Sequence, residues 1–224
     1  MSQNFVNGAK YSFSTILGAN EAIEEISNAL DAVVTLAAGG TLPAEDAIVI
    51  LKSNWSDLNE GCAYVGSPSG TTFVLEGTTD ETFFFPDESA PSSFQVVSGM
   101  ISLSQIREIA QTGGDTNTFN WGYVDDRGMR QRSKPTDQNP VILTFTMDND
   151  FDLPWYKALE TVSKKRQLVV MRERLITGDV LLYSGYMSFQ KSPSRTRNEN
   201  QTVTATMTIN SEIMRYPAAF FAGS

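Results

Sequence analysis

At 224 residues, with 41% hydrophobic and 19% charged residues, the chain has ordinary globular composition and room for one large domain or a core with a small insert. A net charge of −9 and the absence of histidine exclude His-based triads and His-bearing zinc sites, and argue against a sequence-independent grip on nucleic acid. The single cysteine, Cys62, excludes an internal disulfide and any multi-cysteine metal site.

No apolar run approaches the roughly 18 residues of a membrane span, and Met1–Lys10 lacks the basic-then-apolar pattern of a secretory leader. The stretch Asn20–Leu30 reads two ways, because Ile23, Ile26 and Leu30 also fit one face of a helix. Residues 28–86 hold short apolar runs (Ala47-Ile-Val-Ile-Leu51 is one) punctuated by Gly, Pro, Asn and Asp, which predicts a small all-β unit. Residues 87–93, rich in Pro, Ser and acids, read as a linker. Phe94–Leu103 and Thr118–Val124 read as strands, and Asp125–Asn139 as a long polar loop with a basic middle.

The C-terminal half is patterned more strongly. Pro140–Met147 is β-branched and aromatic, as a strand requires. Asp148–Pro154 forms a turn-and-cap cluster, with Asp152 expected as the N-cap of a helix ending in Lys164-Lys165-Arg166, where cations suit the helix dipole. Gln167–Met171 and Val180–Phe189 read as a hairpin through Thr177-Gly178-Asp179, and Thr202–Ile209 alternates polar and apolar throughout, predicting an antiparallel strand with one wet face.

No chemistry-bearing constellation emerges. Asp148, Asp150 and Asp152 imitate the opening of a calcium loop, but Leu153 and Leu159 stand where Gly and Glu are needed, so a helix-entry turn is the better reading. Ser188-Phe-Gln-Lys191 matches a Ser-x-x-Lys nucleophile only in letters, since it lies on a strand-like run. Asp125-Asp126 and Glu24-Glu25 are adjacent pairs, not facing acid–base couples. Trp121, Tyr123, Trp155 and Tyr156 read as core or interface aromatics. Neither a cofactor nor an enzymatic activity is expected. Charge is unevenly divided: only three of the 17 bases, against 17 of the 26 acids, precede residue 127, so the two parts carry −14 and +5. Opposite-sign surfaces of this kind suit head-to-tail association.

The order of segments carries a resemblance. Tyr11–Gly18, the strand at 94–104, the helix beginning Leu153-Pro-Trp-Tyr-Lys-Ala-Leu159, and Gly178–Phe189 leading to the alternating strand 201–209 together resemble the major tail tube proteins of long-tailed (siphovirus-type) bacteriophages. Ala32-Val-Val-Thr, Pro43–Ile50, Leu58-Asn-Glu-Gly61 and Thr71–Gly77 are similar to a small β-barrel module of phage structural proteins, with Asp46 near a position where glycine is expected. The resemblance implies a mainly β fold, a tail-tube-type antiparallel β-sandwich or barrel with one flanking helix at about 153–166 and a small inserted β-barrel-like module. It favours a strand over residues 20–27. The implied division is a discontinuous core, 1–27 and 94–224, an insert at 28–86 and a linker at 87–93.

The resemblance also implies a structural virion protein made in the host cytoplasm. Its homohexameric rings would stack into a hollow tube for DNA, alongside tape measure, tail terminator and tail tip proteins. An acidic wall would keep DNA from adhering by repulsion. A tail terminator, a secretion-system-like ring protein and a carbohydrate-binding β-sandwich are the alternatives. The basic loop, with Arg127, Arg130, Arg132 and Lys134, is the expected inter-subunit contact.

Overall fold

A computed structural model describes residues 8–53, 55, 58–78, 92–123, 131–197 and 199–222. In chain order the elements are β1 (Lys10–Phe13), β2 (Ile16–Ile26), β3 (Val33–Leu36), β4 (Ile48–Lys52), β5 (Cys62–Ser69), β6 (Thr72–Leu75), β7 (Ser92–Ser98), β8 (Ile101–Leu103), β9 (Ile106–Thr112), β10 (Thr116–Trp121), β11 (Arg132–Gln138), β12 (Ile142–Asp148), α1 (Pro154–Lys165), β13 (Leu168–Arg174), β14 (Val180–Gln190), β15 (Thr202–Ile209) and β16 (Met214–Tyr216). Among the described residues the fold is mainly β, with antiparallel sheets, a closed six-stranded barrel and one α-helix, as expected.

The main sheet follows the order β8-β1-β13-β14-β15-β12-β9, with β16 also paired to β14. Its two end strands, β8 and β9, are joined by only Ser104 and Gln105, so the sheet rolls back on itself. Inside lie Phe13, Phe145, Met147, Val169, Met171, Tyr183 and Met207. Strict alternation places Val203, Ala205, Met207 and Ile209 of β15 in this core and turns Thr202, Thr204, Thr206 and Thr208 away from it. The helix adds Trp155, Leu159 and Val162, spaced to share one face. Burying a side chain such as Leu159 stabilises by about 1.5–3 kcal/mol. Pro154 occupies the first turn and Arg166 ends the helix in a left-handed conformation, its N–H bonded to the Ser163 carbonyl. Leu153, not Asp152, holds the N-cap position, and no side chain caps it. The Asp152 amide instead donates to the Asp150 carboxylate, so this aspartate belongs to the preceding turn.

The barrel closes as β2-β3-β6-β5-β4-β7 around Val34, Leu36, Val49, Leu51, Val65, Phe73, Leu75 and Phe94. Its staves depart from the expected division. Residues 20–27 do form strand, but β2 belongs to the barrel, and so does β7. The strand expected at 94–104 breaks at Gly99, where φ is +64 and a Cβ would lie 2.6 Å from Thr15 Oγ1. There the chain passes from the barrel into β8, which pairs with β1 through Phe13 and Ile101. The outgoing passage lies alongside, with Thr15 Oγ1 donating to the Gly99 carbonyl at 2.8 Å. Asp46 adopts φ +59, so it occupies the conformation for which glycine was expected. Of the expected linker, residues 87–91 fall outside the described residues, whereas 92 and 93 begin β7.

The barrel docks on the main sheet through a shared apolar layer. Ile48, Ile50, Cys62, Tyr64 and Val97 from its outer face meet Leu168, Val170, Val180, Leu182 and Tyr216. The uninterrupted run Ile48–Leu51 follows from this, since one face of β4 fills the barrel and the other packs against the sheet. Tyr216 ties the two bodies: its hydroxyl donates to the Glu76 carbonyl at 2.8 Å and accepts the Tyr64 N–H at 3.2 Å. Glu60, held at φ +60, adds carboxylate contacts to Tyr186 at 3.0 Å and Asn210 at 2.8 Å.

Candidate assembly surface

The β9–β12 pair leaves the main sheet and continues outward as a second pair, β10–β11. The bend falls at Gly113 and Gly114, with φ of +81 and +80. A Cβ on Gly113 would come within 2.0 Å of the Pro140 carbonyl oxygen, so only glycine lets the two chains approach there. Backbone bonds from Gly114 to Asn139 and from Asn139 to Asp115 carry the ladder across the bend. Beyond it, Thr136 Oγ1 donates to the Asn117 carbonyl at 3.1 Å. Hydrogen bonds from Thr136 and Asn117 hold the Asp137 carboxyl below the usual carboxylate range.

Almost every residue of this projecting ribbon is exposed. Its register sets Phe119 opposite Lys134 and Trp121 opposite Arg132, which puts the four on one face. Phe119 and Trp121 stack with ring centroids 6.0 Å apart, and the Arg132 guanidinium lies 5.4 Å from the Tyr123 ring centroid. Phe119 is 62% and Tyr123 58% exposed. A lone two-stranded ribbon is at best marginally stable in water, which makes this aromatic, cationic face the candidate assembly surface.

Arg132 and Lys134 therefore lie on strand β11 rather than in a loop, whereas Arg127 and Arg130 fall outside the described residues. Residues 132–138 form a strand because β10 supplies a ladder, not because their own side chains demand one. The aromatic half of the face was legible as the alternation Phe119-Asn-Trp121-Gly-Tyr123, although Phe119 was not singled out.

The other candidates resolve into structural roles. Lys191 forms an ion pair with Glu160, which also takes Lys164 at 2.8 Å. Hydrogen bonds from the two lysines hold the Glu160 carboxyl down at about 2. Among the described residues no group of His, Cys, Asp and Glu is placed to hold a metal. Burial pushes the Cys62 thiol well above its ordinary pKa and away from the reactive thiolate. A cavity of about 170 Å³ near Trp55, Leu58, Thr78 and Met214 is smaller than the roughly 300–1,000 Å³ of ordinary ligand sites.

A rolled sheet, a docked barrel and a protruding two-stranded ribbon with an exposed aromatic and basic face define a mainly β protein. The chain belongs to the phage tail tube proteins: the family model described as "Phage tail tube protein, TTP" matches residues 53–218. No individual curated protein matches it. Membership is that of a structural protein of the phage tail. Among the described residues no helix is long and apolar enough to cross a membrane.

Proposed function

We propose that the subunit assembles into hexameric rings that stack into the hollow tube through which phage DNA passes, alongside tape measure, terminator and tip proteins. The ribbon β10–β11 carries this reading. Among the described residues nothing covers its Phe119, Arg132 and Lys134, Trp121 is only half-buried, and a neighbouring ring offers a partner. Arg127 and Arg130 extend the same basic segment. Acidic surface is available on the barrel, where β2 exposes Glu24 and Glu25. Each exposed ion pair contributes only about 0.2–1 kcal/mol, but repetition around a ring adds the contributions. The barrel, docked on the sheet, decorates the outside of the tube.

Electron microscopy of concentrated protein tests the reading directly, with stacked rings as the expected result. Reversing Arg127, Arg130, Arg132 and Lys134 to Glu should abolish tube growth and leave subunit unfolding nearly unchanged. Wild-type-length tubes from that variant would remove the ribbon from the mechanism. Rings that never grow beyond one layer would favour a tail terminator.

A further inference from the structure

The charge asymmetry of the sequence falls on one body of the fold. Residues 16–98, from the start of β2 to the end of β7, hold 13 of the 26 acids and one of the 17 bases, a net of −12 that leaves +3 for the rest of the chain. Glu24, Glu25, Glu45 and Asp46 are exposed, and Glu21, Asp31 and Glu76 are half-buried. All four ion pairs among the described residues, Arg107–Asp148, Lys164–Glu160, Lys191–Glu160 and Arg215–Asp179, lie outside the barrel. None of these seven carboxylates is therefore paired with a cation of the described residues. Burial, with Asp31 and Asp46 close by, pushes the Glu76 carboxyl above its ordinary pKa, as happens where acids crowd without cations. One side of the barrel is also free of the main sheet. Strands β3 and β6 contribute nothing to the apolar layer between the two bodies, and Glu25 stands opposite Thr35 on that side.

We propose that the barrel is an acidic sleeve that keeps assembled tubes from adhering side by side. The inference rests on the tube reading above, with the barrel on the outside. Two tubes lying parallel repeat any weak attraction at every ring, so the total grows with their length. Repulsion repeats in the same way, but it reaches only about 8 Å at physiological salt. Charge therefore opposes bundling only where it stands outermost, and a body that projects from the sheet carries it there. Contact with the ribbon of a neighbouring ring does not exhaust it. Setting all four bases, Arg127, Arg130, Arg132 and Lys134, against one barrel would still leave that barrel at −8. The sign matters as well as the size. A cationic sleeve would keep tubes apart equally well but would bind nucleic acid by counterion release.

Low-speed pelleting of assembled tubes, with electron microscopy of the pellet, tests the sleeve. Wild-type tubes should stay dispersed in about 0.15 M NaCl and gather into parallel bundles in about 1 M, where the Debye length shrinks to about 3 Å. Ala38→Lys, Glu45→Lys, Asp46→Asn, Ser69→Lys and Thr71→Lys together halve the barrel charge to −6 at exposed positions and leave β2 and the ribbon unaltered. Tubes of this variant should bundle already at the lower salt. A control with glutamine at positions 38, 69 and 71, and with Glu45 and Asp46 kept, should remain dispersed. Cationic gold particles wider than the tube should coat wild-type tubes and come off at high salt. Bare wild-type tubes would show that the acids do not face outward. Variant tubes as dispersed as wild type, or wild-type tubes that never bundle at high salt, would show that charge does not hold them apart. Each of these results overturns the sleeve and leaves the tube reading intact; absence of tubes from the wild-type chain would remove both.

Discussion

Replacing Tyr216 with Phe tests how the barrel is held to the sheet, because it deletes one oxygen and leaves the apolar contact in place. Tyr216 is 2% exposed, and its ring meets Tyr64 edge-on at 4.9 Å, a contact the phenylalanine ring retains. The hydroxyl bridges two barrel backbone groups, the Tyr64 N–H and the Glu76 carbonyl. Without it, the buried Tyr64 N–H has neither this acceptor nor access to water, and an unsatisfied buried group costs about 1–3 kcal/mol. Taking about 2 kcal/mol, and about 2–4 °C per kcal/mol for a chain of this size, the melting temperature should fall by about 4–8 °C. Calorimetry of the unassembled subunit reads this directly, and Tyr216→Leu should fall further because the aromatic contact is lost as well. A Tyr216→Phe melting temperature within about 1 °C of wild type would refute the bridging role of the hydroxyl.

Leu159→Ala, at a fully buried helix position, should cost about 2–5 kcal/mol in denaturant unfolding with an unchanged m-value. Gly113→Ala imposes both a left-handed alanine and a clash at the ribbon bend, so tube growth observed by light scattering should be lost before the main sheet unfolds. Glu160, depressed from 4.5 to about 2, contributes stability that is present above pH 4.5 and is lost as pH falls through about 2. An NMR titration should find its midpoint near 2 and see it rise in Lys191→Ala. Trp55 and Trp155 are buried in the subunit, whereas Trp121 is half-buried on the ribbon; acrylamide quenching of Trp121 should therefore drop on assembly.

The elements legible in the sequence are those whose two faces differ, or whose two faces are both apolar as in β4 and β13. In the C-terminal half, β12, α1 and β15 could be read off because one face of each is apolar and the other wetter, whereas β13 was legible as a short β-branched run buried on both faces. Three failures have physical causes. The register of β2 slips between Ile23 and Glu25, so Ile23 and Ile26 both point into the barrel at a spacing of three, which imitates a helix. The passage at Gly99 lies inside a single strand-like run, Phe94–Leu103, and only three-dimensional proximity reveals that the residues before and after it belong to different sheets. β11 carries no apolar alternation because both its faces are wet, so its strand character comes from its partner. The barrel takes its first and last staves, β2 and β7, from either side of residues 28–86, and an apolar layer joins it to the main sheet.

The passages at Thr15 and Gly99 bear on the order in which the molecule folds. β1 and β8 are neighbouring antiparallel strands with Phe13 opposite Ile101, so the whole barrel sits where a tight hairpin turn would otherwise be. Joining them through a disordered loop of that length rather than a two-residue turn would cost on the order of 3 kcal/mol in closure entropy, at about 0.6 kcal/mol per doubling. A barrel that is already folded removes this cost, because β2 and β7 are paired from Ile16 to Ser98 and return the chain to the point where it left. A barrel that closes first would act as a preformed turn, so a substitution in its core such as Phe73→Ala is expected to slow refolding of the main sheet in stopped-flow as well as to destabilise the barrel.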